Sequence, residues 1–186
     1  MNLLRKYIRE QLENEVIMIP PPPSDEYRAQ ETLVVNMIPD NPDISEELYE
    51  MLDDDIVSLF DSILVGNGHE SRRKHVKQIK KAIKPSIQFH KSYFNAARPY
   101  QLANHMGVDF EYDYLESAQT PSYPSGHAAQ GYYMAEMLSR EYPDCTEELF
   151  GLADLIADSR LERGLHLPSD IEAGKLLAQK LAARSM

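Results

Sequence analysis

The chain has 186 residues, of which 42% are hydrophobic, and its formal net charge is −11 at pH 7. This length and hydrophobic content suit one folded domain with a core and exclude a disordered chain. The net charge disfavours general affinity for nucleic acids or anionic membranes, and no apolar run approaches the roughly 18 residues of a membrane span. The single cysteine, Cys145, excludes an internal disulfide and suits a reducing compartment.

The first residues predict a separate N-terminal arm. Apolar residues recur at helical spacing over residues 2–14, with charges between them, which indicates a short amphipathic helix and not a secretory signal. Such a helix is marginal alone, so we expect it to dock on its own domain or on a partner. The proline run of residues 20–23 is a stiff extended connector. We therefore predict an arm over 1–18, a folded domain over 19–186, and a cytoplasmic or otherwise non-secreted location.

The next part of the chain predicts three helical segments. The first begins near residue 24, although the stretch TLVVNM could instead form a strand. The second runs from a cap at Asp43 or Ser45 to the Gly-Asn-Gly sequence at 66–68. The third covers about 69–99 and is interrupted near Pro85. Its basic run over 72–81 has no interleaved aromatic residues, which favours a solvated helix face over a nucleic-acid site.

The C-terminal half predicts a long irregular segment over about 103–125 and then three helices. The first of these helices follows His127, the second runs from a Thr146 cap to a stop at Gly164, and the third starts after Pro168. There is almost no strand signal. The fold class is therefore predicted to be all-α, a compact helical bundle with a site built from helix N-termini and loops at one end.

Polar clusters stand at two of these helix starts. Pro124-Ser125-Gly126-His127 leads directly into a helix, where free amides and the helix dipole attract anions, and His127 is placed for proton transfer. Before the last helix, Asp170 follows His166 by four residues and could orient its ring, leaving the other ring nitrogen as a nucleophile. Taken alone, the segment over 124–127 could be an ordinary capped helix start, and the segment over 166–170 could be an ordinary helix junction.

A third cluster supplies positive charge. Lys91 and Arg98 are seven residues apart, which predicts that both lie on one face of a helix. Arg160 adds a planar guanidinium that matches phosphate oxygens. In an acidic chain these cations could mark an anion site, although solvated surface is the usual role of such residues.

The three clusters together are far more specific than any one of them. They resemble the signature of the type 2 phosphatidic acid phosphatase superfamily, which also includes vanadium haloperoxidases. Within it the chain looks most like the soluble class A acid phosphatases, over roughly residues 19–186. Those enzymes are typically exported and often carry a disulfide, whereas we expect neither a signal peptide nor an internal disulfide in this chain. All twelve signature positions are met: Lys91, Arg98, Pro99, Pro124, Ser125, Gly126, His127, Ser159, Arg160, Gly164, His166 and Asp170.

The resemblance implies a metal-independent phosphomonoester hydrolase that forms a phosphohistidine. His166 is the implied nucleophile, Asp170 orients it, and His127 is the general acid and then the base. The implied phosphate-binding set is Lys91, Arg98, Ser125, Gly126 and Arg160. We expect no metal or cofactor, inhibition by vanadate, a mildly acidic optimum and a small soluble phosphomonoester as substrate.

The sequence is also compatible with other functions. A vanadium-dependent haloperoxidase would hold vanadate in the same cradle, with His166 as its ligand. A lipid phosphatase is disfavoured because the membrane branch of the superfamily carries several spans. An assembly protein could retain the domain and dock a partner through the N-terminal helix. We expect no nucleic-acid partner and no membrane span, and the resemblance is compatible with a homo-oligomer.

Overall fold

The computed structural model describes residues 17–39, 41–115 and 118–185. It contains helices only, with no strand in the described ranges, so the all-α prediction is confirmed. The predicted helix over 2–14, and with it most of the arm over 1–18, lies outside the described residues. The helices are α1 Asp25–Val35, α2 Glu46–Asp54, α3 Ile56–Gly66, α4 Arg73–Ala82, α5 Lys84–Phe94, α6 Pro99–Met106, α7 Gly126–Glu141, α8 Thr146–Glu162 and α9 Pro168–Arg184.

Helix α7 is the centre of the bundle, and α8 and α9 pack against it. Its buried face is rich in small side chains such as Ala128, Ala129 and Ala135, which let neighbouring backbones come close. The closest approach is at Gly174 of α9, where an added Cβ would lie 2.7 Å from the backbone oxygen of Ser125. This contact holds the second turn of α9 against the start of α7, and it brings the Asp170 and His127 segments to the same end of the bundle.

The segment predicted as one helix from residue 43 to 66 is two helices. Ser45, one of the two predicted caps, accepts a hydrogen bond from Leu48 N and begins α2. Asp55 then ends α2 and caps α3, since its carboxylate accepts from Ser58 N at 3.2 Å and from Ser58 Oγ at 2.6 Å. The local hydrogen bonds of Asp55 compete with continuation of the helix, which is why apolar periodicity alone missed the break.

Three further predictions are corrected. Residues 32–35 belong to α1, so TLVVNM is not a strand. The irregular segment is shorter than predicted, because α6 extends to Met106. Lys91 and Arg98 do not share a helix face: α5 ends at Phe94, Asn95 takes a left-handed conformation with φ 46°, and Arg98 is the N-cap of α6. The predicted interruption near Pro85 is confirmed, between α4 and α5.

The start of the described chain lies against the bundle. Ile19 is buried, the backbone oxygen of Met18 accepts a hydrogen bond from Lys180 Nζ at 3.0 Å, and that of Pro20 accepts from Tyr123 Oη at 2.8 Å. Residues 17–24 are not helical, as predicted for the proline run. None of the helices in the described ranges is both long and apolar enough to cross a membrane.

Candidate active site

His166 lies in the loop between α8 and α9, and its ring is held on both sides. Nδ1 is 3.4 Å from Asp170 Oδ2 and 3.4 Å from Ser122 Oγ, and Nε2 is 3.2 Å from Arg98 Nη1. A carboxylate only accepts, so the hydrogen of a neutral ring belongs on Nδ1 and the lone pair on Nε2. His166 is 3% exposed, so its ring is almost fully withdrawn from solvent.

Asp170 is the third residue of α9 and is fully buried. Its carboxylate accepts from Leu167 N at 2.9 Å, from the hydroxyl of Ser122, and from Arg28 Nη1 at 2.8 Å. Burial alone would raise the pKa of this carboxyl, but its hydrogen bonds and charge interactions with His166 and Arg28 hold the pKa well below the ordinary 3.8. Asp170 is therefore ionised near neutral pH and can orient the His166 ring.

Arg98 lies beside His166 Nε2 and is anchored by backbone oxygens. Its Nε donates to Thr120 O and its Nη1 to Leu165 O, each at 2.8 Å. Burial lowers the pKa of Arg98 to about 10, which leaves the guanidinium charged near neutrality. The group is thus a fixed cation next to His166 Nε2.

Lys91, in the last turn of α5, is the second buried cation. Its Nζ donates to the backbone oxygen of Pro121, and its Cε would lie 3.7 Å from a Cβ added at Gly126. Burial, with a contribution from Arg98, lowers the pKa of Lys91 to about 7. The prediction that Lys91 and Arg98 share one helix face is wrong, but the turn at residues 95–98 still brings both side chains to this end of the bundle.

Arg160 and His127 meet at Asp53, in the last turn of α2. Arg160 Nη1 donates to Asp53 Oδ1 at 2.5 Å, and its Nε and Nη2 donate to Ser159 Oγ at 3.1 Å. His127 Nε2 is 3.0 Å from the backbone oxygen of Asp53 and 3.5 Å from Oδ1. Because a carbonyl oxygen only accepts, Nε2 carries the hydrogen in this arrangement.

The two histidines are both neutral in the free protein near neutral pH. Burial, followed by the charge of Arg160, lowers the pKa of His127 to about 4. Burial, followed by the charge of Arg98, lowers the pKa of His166 well below the ordinary 6.5. A nearby dianion would favour the imidazolium form of either ring and move its pKa upward.

Ser125 and Gly126 form the start of α7. The Ser125 hydroxyl accepts from Ala128 N, which makes it the N-cap, and its own N–H donates to Asp170 O at 2.9 Å. This amide is therefore occupied, so in this arrangement Ser125 has its hydroxyl, not its N–H, to offer an anion. Gly126 has ordinary space around its Cα, and a Cβ there would come within 3.6 Å of Ile87.

Sequence reasoning missed three residues that hold the site, namely Arg28, Asp53 and Ser122. Arg28 left one signal: the buried face of α1 is Arg28, Glu31, Thr32 and Val35, a helical i, i+3, i+4, i+7 pattern that is mostly polar. A polar face at core spacing indicates buried hydrogen-bonding partners elsewhere in the chain. Asp53 and Ser122 have no comparable signal.

A group of potential metal ligands lies away from this site. In the part of the chain that the structure describes, His69, Asp144 and Cys145 place one donor atom each within 4.8 Å of one another. Asp144 and Cys145 follow the C-terminal end of α7, whereas His127 lies at its N-terminal end. The sixteen residues of α7 span roughly 24 Å at 1.5 Å per residue. This group is therefore not part of the site around His127 and His166.

Comparison with known proteins identifies the family. The PAP2 superfamily matches residues 81–185, more than half of the chain, and the chain belongs to this superfamily. The matched range contains all twelve signature positions, whereas Arg28 and Asp53 lie before it.

Two curated relatives are non-specific acid phosphatases. The chain is 35% identical over 94 residues to that of Salmonella typhimurium (strain LT2) and 34% identical over 94 residues to that of Salmonella typhi. Each alignment covers 50% of this chain and 37% of the relative, so the shared region is little more than a third of the relatives' length.

A solved structure shares the fold. The crystal structure of the first transmembrane PAP2 type phosphatidylglycerolphosphate phosphatase from Bacillus subtilis matches with a TM-score of 0.52 and 16% identity, over 86% of this chain and 84% of that one. At this identity the likeness concerns the helical fold alone.

Proposed function

We propose that this protein is a metal-independent, acid phosphatase-like phosphomonoester hydrolase that works through a phosphohistidine at His166. The observation that carries the proposal is the position of the His166 ring, with Nδ1 facing the Asp170 carboxylate and Nε2 facing the Arg98 guanidinium. A phosphoryl group drawn to Arg98 would meet the Nε2 lone pair. The names of the two Salmonella relatives support the same reaction class.

The first chemical step transfers the phosphoryl group to the protein. The Nε2 lone pair of His166 forms the P–N bond while the ester P–O bond breaks. The leaving oxygen keeps the electron pair of that bond and takes a proton from the imidazolium form of His127, which gains this proton when the dianionic substrate binds. Asp170 stabilises the positive charge that develops on the His166 ring through its contact with Nδ1.

The second step releases phosphate. A water molecule attacks phosphorus and gives a proton to His127, which is neutral after the first step. The P–N bond breaks and its electron pair returns to His166 Nε2. The sum is one water consumed, with one alcohol and one phosphate formed, and both histidines end as they began.

The charge of the phosphoryl group is met by side chains. Lys91, Arg98 and Arg160 would surround its oxygens, together with the Ser125 hydroxyl and the start of α7 at Gly126. Arg160 would exchange part of its contact with Asp53 for phosphate oxygens. Because a bound dianion raises the pKa of His127, the substrate itself would promote protonation of its general acid.

The test is hydrolysis of p-nitrophenyl phosphate by the full chain after dialysis against EDTA, with and without vanadate. We expect turnover that EDTA does not reduce and that vanadate inhibits competitively, because trigonal-bipyramidal vanadate imitates the transferring phosphoryl group. Loss of activity in EDTA that a divalent ion restores would contradict the metal-independent route. Full activity at saturating vanadate would contradict the cradle assignment.

A further inference from the structure

A basic cavity lies on the surface formed by α4 and the start of α5. It has a volume of about 280 Å³, and its cationic lining is Arg73, Lys77, Lys80, Lys81 and Lys84. These residues include much of the basic run that the sequence indicated to be a solvated face. Asp54 and Asp55 also line the cavity, and Gln130 of α7 closes one side. Five cations against two carboxylates leave an excess of positive charge in a chain of net charge −11.

The lysines of this cavity form no close ion pair in the described chain, although the charges of Asp53, Asp54 and Asp55 act on Lys80. Arg73 is paired with Asp55 at 2.8 Å, but no hydrogen bond or ion pair in the described chain involves Lys77, Lys80, Lys81 or Lys84. Lys80 is partly withdrawn from solvent, and burial lowers its pKa. Like charges that converge in excess of the nearby carboxylates and without close ion pairs destabilise a fold, so their gathering at one cavity points to an anionic occupant.

The cavity adjoins His127. Gln130 is three residues after His127 on α7, which places the two side chains about 5–6 Å apart on one helix face. Asp54 and Asp55 directly follow Asp53, whose backbone oxygen contacts His127 Nε2 at 3.0 Å. The charge of Lys80 also acts on the pKa of His127. The positive cavity is therefore next to the histidine to which we assign protonation of the leaving group.

We propose that this cavity binds a phosphate carried by the leaving group, so that the preferred substrates are small bisphosphorylated molecules. This inference rests on the proposed hydrolase function and on His127 as the acid of that reaction. The phosphate to be transferred lies among Lys91, Arg98 and Arg160, and the second phosphate lies among the lysines beyond His127. The turn of α7 from His127 to Gln130 lies between the two phosphate positions, and this arrangement suits phosphates joined by a short carbon chain, not adjacent phosphates.

The experiment compares two esters that differ only in the second phosphate: 1,3-propanediol bisphosphate and 3-hydroxypropyl phosphate. The readout is the ratio of their kcat/KM values at fixed ionic strength, with each variant first checked for its wild-type melting temperature. We expect wild-type protein to favour the bisphosphate by at least about tenfold, the effect of one or two charge-assisted hydrogen bonds. The ratio should fall as salt rises, because Lys77, Lys81 and Lys84 are exposed to solvent.

Two variants on the same helix isolate the cavity. Lys80→Gln should lower the ratio about fivefold or more. Lys74→Gln removes the same charge from an exposed residue of α4 that does not line the cavity, and it should leave the ratio unchanged. Lys80→Arg keeps the charge and should retain most of the preference, which separates charge from packing if Lys80→Gln is unstable.

The outcomes separate the two proposals. A wild-type ratio near one, or equal losses in Lys80→Gln and Lys74→Gln, would overturn the cavity assignment while leaving the hydrolase proposal standing. A preference for inorganic pyrophosphate over the bisphosphate would overturn the spacing argument. No turnover of any phosphate ester by wild-type protein would overturn the hydrolase proposal and this inference with it.

Discussion

Arg28 and Asp170 form an ion pair inside the protein, with Nη1 2.8 Å from Oδ1 and side chains that are 2% and 0% exposed. Arg28 belongs to α1, outside the range that matches the superfamily, yet it contacts the carboxylate that orients His166. Its Nη2 also donates to Ala97 O at 3.0 Å, one residue before Arg98. One guanidinium therefore links the carboxylate that faces His166 to the segment that carries Arg98.

The first prediction concerns this pair. Arg28→Ala leaves Asp170 as a buried charge with one cation fewer, which should cost about 3–5 kcal/mol of unfolding free energy at pH 7. The kcat of the folded fraction should also fall, because Asp170 and the Arg98 segment lose a shared anchor. Urea unfolding and p-nitrophenyl phosphate turnover measure the two effects. Arg140→Ala, which removes a partly exposed arginine bonded to Ala182 O, is the control. Unchanged turnover in folded Arg28→Ala would show that the pair serves stability only.

The candidate site residues could be named from the sequence because they stand in a spaced pattern, but the residues that contact and support them could not. Arg28 reaches a partner 142 positions away, and Asp53 reaches Arg160 at a separation of 107. Periodicity shows which face of a helix is buried, not which distant side chain meets it. At Lys91 and Arg98 the seven-residue spacing predicted a shared helix face, and that prediction is wrong because the left-handed turn at Asn95 ends the helix between them.

The second prediction concerns the packing of α9 on α7. A Cβ at Gly174 would lie 2.7 Å from Ser125 O and 3.0 Å from Ala129 N, and both atoms belong to backbone that cannot yield cheaply. Gly174→Ala should therefore push α9 away from the start of α7, with a loss of about 1–3 kcal/mol in stability and reduced kcat. Gly151→Ala is the matched control, since nothing lies within 4 Å of its Cβ position. That helical substitution should stabilise the protein by about 0.5–1 kcal/mol, and a stabilising Gly174→Ala would refute the close-approach argument.

The third prediction separates the two histidines. His166→Ala should abolish turnover of every ester, because it removes the covalent route. His127→Ala should abolish turnover of alkyl phosphates, whose alkoxides need a proton to leave, and should reduce the first step with p-nitrophenyl phosphate much less. Without a base for the second step, phosphohistidine should accumulate in this variant. Rapid quench and detection of phosphohistidine measures the accumulation.

Two results would contradict this assignment of roles. Phosphate trapped on the His127 side chain of a His166→Ala variant would reverse the nucleophile and the acid. Equal losses on alkyl and aryl esters in His127→Ala, with no trapped intermediate, would count against the two-step route. A His166→Ala/His127→Ala double variant, which should trap nothing, is the control for non-enzymatic labelling.

The fourth prediction concerns Asp53, whose charge raises the pKa of His127 against the effects of burial and Arg160. Asp53→Asn should therefore move the pKa of His127 below its value of about 4, so that the ring is protonated over a lower pH range. Alkyl phosphate turnover should shift toward lower pH accordingly. The NMR titration of the His127 ring measures the pKa directly. Asp54→Asn removes a charge from the exposed neighbouring residue, and an equal shift in that variant would exclude a specific effect of Asp53.

The last prediction follows from Lys91, the cation of the cradle that titrates nearest neutrality. Its pKa of about 7 means that the free protein holds the charged form below pH 7 and loses it above. An anion prefers the charged form, so binding should be tightest below pH 7 and should weaken as pH rises through 7 toward the higher pKa of the anion-bound state. Sulfate is a suitable probe because it remains a dianion throughout this range. Calorimetry at constant ionic strength should show its affinity falling about tenfold between pH 6 and pH 9.

Two variants at the same position test whether Lys91 causes this fall. Lys91→Arg keeps its charge over the whole range and should bind sulfate with little pH dependence, whereas Lys91→Met should bind it weakly at every pH. Arg98, with a pKa of about 10, remains charged up to pH 9 and so contributes no slope below that value. If Lys91→Met retained the wild-type slope, another group would have to be responsible, and Lys91 would lie outside the anion-binding cradle.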